Sequence, residues 1–246
     1  MKNISFPLVI LSSLIVSCTA DPIVTAENID NTISVEKSKQ KTARLLQDLT
    51  PENPANIYDF AGKLHNDILD VYLAGNYQYT TIAQISEKIE AIAASNNDLM
   101  LLDTATILPP NLNVIQEIIN NPQAKLDQAI VNSPMTFAAK NSLSDFINNL
   151  PVWENQPYEE IYDSIILYES DVISNPTFNN EDKRIILTAS SIIRYSIYYD
   201  IVEKDKDWDG STGHRVGGVS GAIDNSSLAI KRSLVTGIII HNLIVE

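Results

Sequence analysis

Asp205, Asp207 and Asp209 alternate with Lys206 and Trp208 and lead into Gly210. Carboxylates at alternate positions of a tight loop can converge on one hard cation, and the glycine permits the sharp turn. The same run also suits an acidic, solvated connector between helices, in a chain with 31 Asp and Glu against 17 Lys and Arg. The other residue with chemical promise is Cys18, the single cysteine of 246 residues. It follows Lys2, an apolar run from Phe6 to Val16 broken only by Ser12 and Ser13, and then Ser17. A basic tip, a short apolar core and a small residue before a cut site describe an export signal, and the run is too short to span a bilayer.

The ending Ile15-Val16-Ser17-Cys18 resembles the lipobox of bacterial lipoproteins: an aliphatic residue three before the cysteine, a small residue, then the cysteine. The resemblance implies that the signal, residues 1–17, is cut in front of Cys18, whose sulfur and new amine carry acyl chains, palmitate among them. Its bilayer partner would then be reached through acylated Cys18. Asp21, Glu27 and Asp30 lie soon after it and resemble the surface-export signals of Bacteroidota-type lipoproteins. That implies an outer-membrane or cell-surface location. The Asp205–Gly210 run resembles the opening of an EF-hand calcium loop. It departs from that family at Thr212, where an apolar residue belongs, and at Val216, where the bidentate glutamate belongs. Calcium there would need Glu203 or another segment to complete its shell.

Other constellations are weaker. Gly213, Gly217 and Gly221 recur every four residues, with Gly218 and Ala222 beside them. On a helix they form a bare face that a second helix can approach closely, from a partner, from a second copy, or from this chain's own long helix. Arg194, Tyr195, Tyr198 and Tyr199 sit together on one predicted helix, where they could stack on a sugar or peptide or could rim the core. His65, flanked by Asn66 and Asp67, lies beside an apolar stripe with Gly62 one turn earlier, which suits a hydrogen-bonded structural histidine or a ligand. With histidines only at 65, 214 and 241, a histidine metal site is not expected. Gly218-Val219-Ser220-Gly221-Ala222 is a poor nucleophile elbow, since no strand precedes it. No HExxH, CxxC, phosphate loop or dinucleotide fingerprint occurs.

The elements that must position these residues are helical. Residues 18–33 read as an acidic tether, and 34–246 as one all-α domain of about eight to ten helices, with an acidic then Gly-rich segment over 203–224. The helix over about 54–74 has Ile57, Phe60, Ala61, Leu64, Ile68 and Val71 on one expected inward stripe. Thr81 and Gln84 open the next, with Ile82, Ile85, Ile89 and Ile92 on one face. Asn121-Pro122, Ser133-Pro134 and Pro157 mark further starts. Asn180 is placed to cap the longest helix, about 181–203, whose two apolar flanks make it the expected centre of the core. Thr236–Val245 is β-branched enough to be a strand or a helix end.

Removing residues 1–17 takes away one basic residue, Lys2, and no acid, so the mature net charge becomes −15. That balance repels nucleic acid and anionic headgroups. The expectation is a non-enzymatic, membrane-anchored envelope lipoprotein with a protein-contact or structural role, meeting an envelope protein or a second copy of itself, with Gly213, Gly217, Gly221, Arg194 and Tyr198 as contact residues. Two alternatives remain open: a calcium-binding lipoprotein, and an enzyme whose site assembles only in the fold.

Overall fold

A computed structural model describes residues 50–102, 109–203 and 211–245. Its order is α1 (Phe60–Ala74), α2 (Ile82–Ser95), the single turn α3 (Leu99–Leu102), α4 (Leu112–Asn120), α5 (Pro122–Asn132), α6 (Phe137–Trp153), α7 (Tyr158–Ser174), α8 (Asn180–Tyr198), α9 (Ser211–Asp224) and α10 (Ser226–Val245). Among the described residues there is no strand, and no helix is long and apolar enough to cross a membrane. The class is all-α, in one multi-helix domain.

The core forms around α8. Asn179, not Asn180, caps it: its side-chain oxygen accepts from the Asp182 amide at 2.9 Å, and the Asp182 carboxylate accepts from the Asn179 amide at 3.1 Å. Asp182 also accepts from the Thr136 amide and hydroxyl at 2.8 and 2.9 Å, so one carboxylate fixes the starts of both α6 and α8. Ile185 to Ile197 are all buried, as a helix enclosed on every side must be. The enclosing helices are α1, α7, α9 and α10. After Tyr198 the chain continues as a π-helical turn, Tyr199–Glu203.

Helices α9 and α10 are joined at Asn225, whose side-chain oxygen accepts from the Leu228 amide at 2.7 Å. Their antiparallel register follows from the glycines. A Cβ on Gly213 would lie 2.6 Å from the Thr236 carbonyl oxygen, and one on Gly217 would lie 2.6 Å from that of Arg232. One on Gly221 would collide with the Leu228 carbonyl and the Ala229 backbone. Each step of four along α9 thus meets a step of four back along α10. This packing also settles the end of the chain. Thr236–Val245 is helix, its first residues Thr236, Ile238 and Ile239 buried in the core.

Three expectations are corrected. Helix α1 begins at Phe60, because Asn53 and Asn56 hold the preceding turns by accepting from the Ala55 and Tyr58 amides at 3.1 and 2.9 Å. Its inward face is Ala61, Leu64, His65, Ile68, Leu69 and Tyr72, while Ile57, Phe60 and Val71 stay 81%, 37% and 55% exposed. The rotation has a cause: Gly62 sits hard against Ser191 and Tyr195 of α8, which turns its side of α1 inward. Ser133 ends α5 rather than opening a helix, and Thr136 caps α6 by accepting from the Ala139 amide at 3.3 Å.

Candidate functional site

Two buried polar clusters flank α8. The first centres on Arg194, which has no exposed surface. Its Nη2 donates to Glu169 Oε2 at 3.3 Å and Oε1 at 3.4 Å, and to Asp59 Oδ1. Glu169, fully buried on α7, also accepts from Asn53 Nδ2 at 2.5 Å and the Ser190 hydroxyl at 2.8 Å. Asp59, just before α1, accepts from the Asn53 amide at 3.1 Å and the Tyr195 hydroxyl at 3.2 Å. Burial alone would lower the guanidinium pKa, but the Glu169 and Asp59 carboxylates more than offset it, and the value is raised. Beside it, burial pushes the Tyr158 hydroxyl well above its ordinary range, with Arg194 pulling the other way. A charge this deep is tolerated because opposite charges and hydrogen bonds meet it there.

The second cluster joins α1, α9 and α10. Asn66 Nδ2 donates to the Tyr195 carbonyl at 2.9 Å, which turns Asn66 Oδ1 toward His65 Nδ1, 3.0 Å away. His65 therefore carries its proton on Nδ1, and its Nε2 is an acceptor. His214 Nδ1 and the Ser233 hydroxyl both lie 3.0 Å from that Nε2. The hydroxyl also lies 2.9 Å from the His214 carbonyl and donates to it. That leaves His214 Nδ1–H to donate to His65. The rings meet edge to face, with centroids 4.8 Å apart. Gly237 makes the space, since a Cβ there would overlap the His214 ring. Burial lowers the His65 pKa to about 4, with the Asn66 bond raising it in part. Burial, then the neighbouring His65, lowers His214 well below 6.5. Both rings are neutral at pH 7.

A hydroxyl, an imidazole and an amide in this order could form a nucleophile, a base and its orienter. In this closed arrangement Ser233 and His65 have no exposed surface, so no substrate reaches them. What the cluster does is fix how α1 sits on the α9–α10 hairpin.

The expected site residues fall into three groups. Cys18, Asp205, Asp207 and Asp209 lie outside the described residues. Among the described residues, no group of three or more His, Cys, Asp or Glu side chains could hold a metal ion. Gly213, Gly217 and Gly221 are buried against α10, and Arg194 is buried at the α1–α7–α8 junction. Both make contacts within the chain. Tyr198 is half-buried and packs edge-on against Tyr158, with ring centroids 5.4 Å apart.

Asp59, Glu169, Asn66, His214 and Ser233 carry these clusters and were not singled out from the sequence for these roles. Only Gly62 beside His65 and the α9 glycines hinted at close helix contacts there. No family model, no curated protein and no solved structure matches the chain.

Proposed function

We propose that this chain is a membrane-anchored lipoprotein of the cell envelope, held by acyl groups on Cys18, whose helical body works by binding rather than by catalysis. The observation that carries the anchor is positional: the one cysteine of the sequence closes an apolar run in an aliphatic, small, cysteine ending. Each buried methylene of an acyl chain contributes about 0.8 kcal/mol, so two or three chains anchor a protein stably at a bilayer where one chain alone is marginal. A body carrying a net charge of −15 after cleavage gains nothing from anionic headgroups, which leaves the lipid to supply the attachment. The binding role is supported by burial: Ser233, His65 and Arg194, the side chains best suited to chemistry, are closed off from solvent.

The test is fractionation of cells that produce the full chain or Cys18→Ser. The parent is expected in the membrane fraction and the variant in the soluble exported fraction. A variant that stays with the membrane would remove the anchor from this reading.

A further inference from the structure

The outer helix pair α6–α7 lines an open groove of about 660 Å³, within the size range of small-ligand sites. Asn141, Asp145 and Asn149 line one side. Their spacing by four puts them on a single ridge of α6, about 12 Å long at about 1.5 Å per residue. Asp171 and Asn175 of α7 and its C-terminal end line the other side. Phe146, Tyr168 and Trp153 also line the groove; Phe146 is buried, and Tyr168 and Trp153 are half-buried. Phe146 and Tyr168 stack with centroids 4.2 Å apart and planes 8° apart, and half-buried Trp153 meets Phe146 edge-on at 5.9 Å. The groove has no Lys, Arg or His in its lining.

This lining selects a ligand class. Asn141 offers a donor and an acceptor together. Asn149 keeps its acceptor, since its amide nitrogen donates to the Asp145 carbonyl, and Asn175 keeps its donor, since its oxygen accepts from Thr177. Each carboxylate accepts strongly from a hydroxyl. A sugar ring presents hydroxyls that donate and accept at once, and its apolar C–H groups suit the half-buried edges of Tyr168 and Trp153. With no cation in the lining, phosphate, sulfate or uronate groups would face the Asp145 and Asp171 carboxylates with no opposite charge to offset them. A basic peptide would call mainly for carboxylates, yet the three amides of Asn141, Asn149 and Asn175 outnumber the two carboxylates of Asp145 and Asp171. The short side chains also lose less rotamer freedom on binding than long ones would.

We propose that the α6–α7 groove binds a neutral oligosaccharide. This names the ligand for the binding role given above and rests on it, but does not depend on the acylation of Cys18.

The test uses the full-length protein in detergent on an array of gluco-, manno-, xylo- and chitin-type oligosaccharides. Sulfated and uronate glycans and oligolysine are printed beside them. Neutral glycans are expected to bind and the anionic ones not. Asp145→Ala and Asp171→Ala are each expected to weaken binding about tenfold. Both residues are exposed, so the helical circular-dichroism spectrum should match that of the parent. Binding to oligolysine alone would keep the binding role and overturn this ligand. Binding to nothing on the array, or equal binding by parent and variants, would overturn the groove. The fractionation of Cys18→Ser reads out separately from all of these.

Discussion

Lowering the pH from 7 to 4 is expected to cost the fold roughly 3 kcal/mol through His65 alone. In the unfolded chain the imidazole titrates at 6.5; in the fold, burial lowers it to about 4. The folded value is the lower one, so the unfolded chain takes up the proton first. Stability from this group is complete above 6.5, declines as the pH falls toward 4, and changes little below that. The interval from 6.5 to about 4, at about 1.36 kcal/mol per pH unit, gives the figure above. His214 acts in the same direction, since burial first, and then the neighbouring His65, His241 and Arg215, oppose a positive charge there. Urea unfolding of the parent and of His65→Gln, each at pH 7 and pH 4, is the assay. Carboxylates common to both proteins cancel in the difference. The variant should be the less stable at pH 7 but should lose about 3 kcal/mol less on acidification. Parallel losses in the two proteins would refute the buried, neutral pair.

Gly217→Ala places a Cβ 2.6 Å from the Arg232 carbonyl oxygen and is expected to cost about 1–3 kcal/mol, read as a lowered thermal midpoint. An unchanged midpoint would mean that α9 and α10 do not pack in this register. Glu169→Ala removes one of the two carboxylates that meet Arg194. Urea denaturation should show a loss of about 3 kcal/mol, and a loss under about 1 kcal/mol would contradict the ion cluster. Asn179→Ala opens the capping box of α8 and is expected to cost about 1 kcal/mol, measured the same way.

The sequence made the helices legible because their apolar spacing and their caps are local signals. Thr81, Asn121 and Pro157 begin or cap helices where expected. What it could not show was which flank of α1 turns inward. That choice depends on Gly62 meeting Ser191 and Tyr195, a contact more than a hundred residues distant. The long helix looked apolar on both flanks, yet it buries Thr188, Ser190, Ser191 and Arg194. Their partners Asp59 and Glu169 read, in isolation, as ordinary acids on an acidic chain. His65 and His214 are 149 residues apart, so no local pattern joins them. The glycines of α9 were legible as a bare face, and the structure supplies the helix that covers it.

The attachment through Cys18 is tested most directly by the intact mass of the protein purified from its native membrane. The expected mass lacks residues 1–17 and carries a diacylglyceryl group on the sulfur of Cys18 and an acyl chain on its amine. A mass matching an unmodified chain, or one beginning at another residue without lipid, would contradict the account.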